Sequence, residues 1–226
     1  MDSQKENDIK LYNKIYGDYI NVESTESTVA NYTKLAEEYE QDFVGLGYET
    51  PGDVAKLALK YLKGDNQQVL DIACGTGLVA DALRNGGFKG EIDGIDGSPG
   101  MLNLAKAKQG VYRKLVEAFV NPGVNLPFDK TTYDAVVCSG GYGPGHLMPA
   151  TLELLIDVTK AQGVIVFATR DNTQASDYVK ELEATVKDLE DKGLWKKSDV
   201  IPTTYFRFDK EKGEPLKAII YCFQKV

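Results

Sequence analysis

Short apolar runs alternate with amphipathic stretches through the middle of the chain. The pattern predicts strands over 69–73, 91–95, 114–119, 135–139 and 164–168, with helices near 78–85, 99–109 and 152–160 between them. Strands that alternate with helices pair in parallel through right-handed crossovers. Val69-Leu70 and Ala135-Val136-Val137 are apolar on both faces, as a sheet covered on both sides requires. The fold class that follows is α/β: an open, doubly wound, mostly parallel sheet with helices on both faces.

The flanks have other textures. Residues 1–28 are polar and acidic, end in the low-complexity stretch 23–28, and read as a mobile arm or lid with a short helix around 8–19. From 29 to 44, Tyr32, Leu35, Ala36, Tyr39 and Phe43 recur at spacings of three and four and predict one helix. Another helix opens at Thr50-Pro51, with Thr50 as N-cap and Pro51 as the first helical residue. Ala175, Val179, Leu182, Val186 and Leu189 mark a further helix, which Gly193 ends. Residues 205–208 and 218–223 flank the charged segment 209–214, the pattern of an antiparallel hairpin.

Composition and charge narrow the function. The 226 residues, 42% hydrophobic and 27% charged, suit one large domain with an ordinary core. A formal net charge of −8 disfavours nucleic acid as a partner, because phosphate backbones are repelled. The pairs Lys196-Lys197 and Lys210/Lys212 are too short to form a basic patch. No run approaches 18 consecutive apolar residues and no basic start precedes an apolar stretch, so the expectation is a cytoplasmic protein without a membrane partner. Cys74, Cys138 and Cys222 sit in or beside apolar runs, as buried free thiols do. With a single His and no close Cys pairs, no metal site is expected.

The candidate chemistry begins where the first strand ends. In Val69-Leu70-Asp71-Ile72-Ala73-Cys74-Gly75-Thr76-Gly77-Leu78, a strand enters a glycine turn and a helix leaves it. Gly75 and Gly77 let a ligand approach the backbone, and the helix N-terminus offers unpaired N–H groups. Such a crevice at the carboxyl ends of strands is where open α/β sheets bind ligands. Asp96, in Gly94-Ile95-Asp96-Gly97-Ser98 at the end of the next strand, is a candidate acceptor for ribose hydroxyls. These features alone also satisfy a loose dinucleotide fingerprint. Asp71 shifts the balance: its carboxylate would repel a pyrophosphate and attract an α-amino group. Ser98-Pro99 then caps the next helix and brings Met101 either to an adenine ring or to the core.

Together these residues resemble class I, seven-stranded methyltransferases, and within them the Williams–Beuren syndrome chromosomal region methyltransferase-like proteins. The resemblance also runs through Tyr32-Thr33-Lys34-Leu35-Ala36-Glu37-Glu38-Tyr39-Glu40 and Leu46-Gly47-Tyr48. It implies a seven-stranded Rossmann-like sheet with an antiparallel C-terminal hairpin. Residues 1–62 would form an arm and helical cap, and 63–226 the S-adenosylmethionine-binding domain, as one structural unit. It implies S-adenosylmethionine as cofactor and S-adenosylhomocysteine as product. Asp71, Gly75 and Gly77 would hold the methionine part, Asp96 and Gly97 the ribose, Met101 the adenine face, and Tyr32 and Tyr39 the carboxylate end. Where many members carry an acidic residue after the third strand, Asn121 is the available substitute for the adenine amino group.

On the acceptor side, the fourth strand ends at Cys138-Ser139. The loop Gly140-Gly141-Tyr142-Gly143-Pro144-Gly145-His146-Leu147 gives a substrate room. Ser139 faces the cofactor, His146 is the candidate general base with a pKa near working pH, and Tyr142 either orients the acceptor or packs. Arg170 is a candidate for a substrate carboxylate or, more simply, a surface ion pair. The expected activity is methyl transfer to a small molecule by in-line displacement. An NAD(P)-dependent oxidoreductase, a noncatalytic S-adenosylmethionine-binding module and a protein methyltransferase all remain open. The sequence does not reveal the acceptor or the oligomeric state.

Overall fold

A computed structural model describes residues 2–20, 24–171, 175–208 and 214–226. Residues 209–213, with Lys210 and Lys212 and most of the expected charged segment, lie outside the described residues. Five strands are mutually parallel: β1 (Gln68–Ile72), β2 (Glu91–Asp96), β3 (Lys114–Glu117), β4 (Tyr133–Tyr142) and β5 (Thr159–Asp171). β6 (Trp195–Phe206) and β7 (Leu216–Lys225) complete the sheet as an antiparallel pair, in the order β3-β2-β1-β4-β5-β7-β6. The chain winds outward from β1 to β3 and then returns to lay β4 on the other side of β1. That reversal opens a crevice above the carboxyl ends of β1 and β4.

Two cores follow from the pleat of the strands, which sends successive side chains to opposite faces. Val69, Ala135 and Val137 pack on α4 (Thr50–Leu59) and α5 (Leu78–Asn85) through Val54, Leu57, Val79 and Leu83. Leu70, Ile72 and Val136 face α7 (Leu152–Val158) and α8 (Ser176–Asp191) through Leu155, Leu182 and Leu189. α6 (Pro99–Ala107) follows β2, and its cap is Ser98, whose Oγ accepts the Met101 N–H at 3.2 Å.

The N-terminal residues differ from the expected loose arm. α1 (Asp2–Ile15) and the π-helical turn Tyr16–Ile20 bury Tyr12, Ile15 and Tyr19 against Phe43, Leu46, Tyr205, Phe206 and Leu216. This third core ties the start of the chain to the C-terminal hairpin. The helix expected over 29–44 is two helices, α2 (Thr25–Lys34) and α3 (Ala36–Gly45). The break falls at Leu35, whose carbonyl accepts the Tyr19 hydroxyl at 3.0 Å. At α4, Thr50 is inside the helix and Glu49 is the cap residue. The Thr50 hydroxyl instead reaches the Thr204 carbonyl at 3.4 Å.

β6 starts ten residues earlier than the apolar pattern of the tail implies. Its first half is polar because it is an edge strand, and an edge tolerates Pro202. Tyr19 tests how firmly the first helix is docked. With its ring fully buried among Tyr32, Tyr39 and Phe43, Tyr19→Ala should cost about 3–5 kcal/mol. Thermal unfolding should then shift down by about 10 °C, whereas a loose arm would leave it unchanged.

Candidate active site

The chain leaves β1 through three residues with left-handed backbones: Ala73 (φ 51°), Gly75 (φ 56°) and Gly77 (φ 95°). For Ala73 this costs about 1–2 kcal/mol, a strain typical of binding loops. Two hydrogen bonds fix the turn to the end of β2. Cys74 donates its N–H to the Ile95 carbonyl at 3.1 Å, and Gly75 donates to Asp96 Oδ2 at 2.8 Å. Asp96 Oδ1 accepts the Ser98 N–H at 2.8 Å. A Cβ on Gly75 would meet nothing within 4 Å, because that face of the turn is open.

The opening is a cleft of about 750 Å³, counted to its mouth. Asp96, Gly97, Met101, Ala118 and Phe119 form one end, and Ser139, Gly141, His146 and Tyr205 the other. Gly75 lies between them, and Tyr32 and Tyr39 cover it. The structure therefore brings together Gly75, Asp96, Gly97, Met101, Ser139, Tyr32, Tyr39 and His146. It does not bring Asp71, Gly77, Asn121 or Tyr142 to the wall.

Each of those four is engaged elsewhere. Asp71 is 1% exposed, and its Oδ2 accepts the Tyr112 hydroxyl at 2.7 Å while Oδ1 has no partner. Burial, reinforced by Asp96 and Asp81, pushes its carboxyl up to about 7, and the Tyr112 bond only partly opposes this. Gly77 caps α5, and a Cβ there would touch the Tyr112 ring at 3.0 Å. Asn121 is exposed, in a turn where its carbonyl accepts the Val124 N–H. Tyr142 is 1% exposed on the core side of β4, its hydroxyl 3.1 Å from Thr151 Oγ1. Tyr142 packs; it does not face an acceptor.

His146 reaches the cleft in an unexpected state. Its Nδ1–H donates to the Pro144 carbonyl at 2.9 Å, which leaves Nε2 to accept the Tyr32 hydroxyl at 3.2 Å. Burial, with the nearby Arg170 cation, lowers its pKa to about 4. The expectation of a pKa near working pH is thus corrected: His146 is neutral, and its one lone pair is occupied. Arg170 is corrected too. It is 5% exposed, with a partnerless Nε, and it is no surface ion pair.

Several site residues carried no legible signal. Thr25 and Thr28 lie in the stretch read as low complexity, yet α2 roofs the cleft through them. Thr28 Oγ1 donates to the Gly145 carbonyl at 2.6 Å and Thr25 Oγ1 to the His146 carbonyl at 3.2 Å. On the opposite wall, Thr33 Oγ1 and Ser98 Oγ are 2.9 Å apart. A usable cue was Ser24, which caps α2 reciprocally with Ser27. Tyr48 and Tyr205 lean over Gly140, whose φ of 73° and missing side chain admit them; a Cβ would lie 2.6 Å from the Tyr48 hydroxyl. Tyr48 also hydrogen-bonds Ser139 at 3.0 Å. These tyrosines come from distant elements, so no local pattern announces them.

The donor set fits an adenosine carrying an amino acid. The walls are mainly apolar and aromatic, with one carboxylate at the end of β2. Among the described lining residues there is no Lys or Arg, and the Asp71 carboxyl behind the turn disfavours a pyrophosphate at that end.

Comparison with known proteins agrees. A family model described as a methyltransferase domain matches residues 69–163. With the seven-stranded fold, this defines the class: the chain belongs to the class I S-adenosylmethionine-dependent methyltransferases. Within it, the chain is 37% identical over 166 residues to human Methyltransferase-like protein 27, covering 73% of this chain and 66% of that one. It is also 34% identical over 85 residues to demethylmenaquinone methyltransferase of Deinococcus radiodurans, covering 38% of this chain and 35% of that one. The chain thus spans about two thirds or less of the length of these relatives. A solved S-adenosylmethionine-dependent methyltransferase from Aquifex aeolicus shares the fold, with a TM-score of 0.57 at 17% identity over 84% of this chain and 98% of that one.

His146 is the only histidine, so its ring resonances titrate alone in an NMR spectrum. They should stay in the neutral form from pH 8 to about 5.5 and move near pH 4. Because the unfolded ring takes its proton near 6.5 and the folded ring near 4, this group lowers stability as pH falls through that window. A midpoint near 6.5 would show the ring open to water.

Proposed function

We propose that the chain transfers the methyl group of S-adenosylmethionine to a small molecule. The observation that carries this reading is the roof over the cleft. α2 bridges the two walls through Thr25, Thr28 and Thr33, which narrows the approach to the acceptor loop and favours a small acceptor over a polypeptide or nucleic acid. The mainly apolar and aromatic lining, with Asp96 at one end, suits an adenosyl cofactor and a small partner. The demethylmenaquinone methyltransferases, whose name states a small acceptor, support the same class. The net charge of −8 also argues against nucleic acid. Among the described residues no helix is long and apolar enough to cross a membrane. We read the protein as cytoplasmic.

In this reading Asp96 accepts the ribose hydroxyls with lone pairs that its backbone partners leave free. Met101, Ala118 and Phe119 flank the adenine. The backbone at Ala73 and Gly75 receives the methionine part, with Tyr32, Tyr39 and Ser139 around its carboxylate end. Asp71 acts from behind the turn as a buried carboxyl whose ionisation a nearby ammonium favours. The cofactor supplies a methyl on a sulfonium with a neutral leaving group. The protein's task is therefore mainly to align acceptor, carbon and sulfur. His146, neutral and bonded to Tyr32, shapes the acceptor wall and does not draw a proton at neutral pH. An oxidoreductase is disfavoured because the described residues lining the cleft beside the Gly75 turn include no Lys or Arg for a pyrophosphate.

Calorimetric titration tests this. S-adenosylmethionine and S-adenosylhomocysteine should bind in the micromolar range, roughly −8 kcal/mol. Asp96→Ala should weaken both at least about tenfold, the scale of a lost charge-assisted hydrogen bond. NAD or NADP binding more tightly than either would overturn the assignment.

A further inference from the structure

Arg170, at the end of β5, is a buried cation with no counter-ion among the described residues. It is 5% exposed, and its Nε has no hydrogen-bond partner. None of the ion pairs among the described residues includes it. Its charge is felt at Tyr32 of α2, His146 of the acceptor loop, Tyr178 of α8 and Tyr205 of β6. All four are uncharged at neutral pH. Burying an unpaired guanidinium costs several kcal/mol, and folds keep such a group where a ligand compensates it.

Arg170 is not itself among the residues lining the cleft, but its neighbours put it directly behind the acceptor side. Tyr32, His146 and Tyr205 all line it. Gly143, in the same loop as His146, lies against the guanidinium: a Cβ there would sit 3.6 Å from Nη2 and 3.9 Å from Nε. With no side chain at 143, the loop leaves space beside the charge. Among the described lining residues the one carboxylate, Asp96, belongs to the other end.

We propose that Arg170 binds an anionic oxygen of the acceptor, a carboxylate or phenolate, and so selects negatively charged small molecules. This rests on the methyltransferase reading and adds the acceptor's chemical class to it. A planar guanidinium is the side chain suited to such a group, and in a dry cleft the interaction is stronger than in water.

The test uses the full chain saturated with S-adenosylhomocysteine, titrated with benzoate, salicylate and 4-hydroxybenzoate and with their amides. At least one acid should bind about tenfold or more tightly than its amide. Arg170→Gln should erase that preference, and Arg170→Lys, which keeps the charge, should retain part of it. Both variants should bind S-adenosylhomocysteine within about twofold of the parent, which confirms an intact cofactor site. If no acid outbinds its amide, if the preference survives Arg170→Gln, or if both variants lose it equally, the role of Arg170 is overturned. Failure of the parent chain to bind S-adenosylhomocysteine would instead contradict the methyltransferase reading itself.

Discussion

The hydrogen bond on which the site depends runs from the Gly75 N–H to Asp96 Oδ2, at 2.8 Å. It pins the turn after β1 to the end of β2. The turn needs left-handed backbones at Ala73, Gly75 and Gly77, and a strained turn persists only where its neighbours hold it. Asp96 does so, with help from the Cys74 to Ile95 bond. Because Asp96 also takes the Ser98 N–H, it fixes the start of α6 and the position of Met101. One carboxylate thus sets the turn, the next helix and the cleft wall.

Charge in the cleft is sparse and therefore influential. Asp71 and Asp96 sit at the turn, Arg170 sits beneath the acceptor loop, and between them are tyrosines and apolar groups. Burial raises the Asp71 carboxyl to about 7, so it is only partly ionised at neutral pH, and lowers His146 to about 4, so the ring stays neutral. A cationic amino acid portion near Asp71 and an anionic acceptor near Arg170 would each relieve a desolvation cost built into the fold. The catalytic burden then falls on alignment, and α2 supplies it by clamping the walls together.

The sheet was legible because its strands are buried on both faces and broken by glycine turns, which leaves a strong local pattern. Gly75, Asp96 and Met101 were legible for a related reason: they lie at the end of β2 or in the connections that follow β1 and β2, Met101 in the first turn of α6, where the connection itself lines the cleft. Tyr142 and Asn121 misled because position along a loop does not fix direction, and Tyr142 turns to Thr151 in the core. Tyr112, the partner of Asp71, and Tyr205 were invisible because each arrives from a remote element. The polar half of β6 gave no apolar alternation, since its outer edge meets solvent. The break at Leu35 depends on a hydroxyl sixteen residues away, which no helical period records.

The central claim is that this cleft holds an adenosyl amino acid with its ribose on Asp96. A crystal structure of the chain grown with S-adenosylhomocysteine tests it most directly. The ribose hydroxyls should lie within about 2.5–3.0 Å of the Asp96 oxygens, with the adenine beside Met101 and Phe119 and the amino group on the Gly75 side. Ligand density away from Asp96, or an adenine lodged against the acceptor loop at His146, would contradict it.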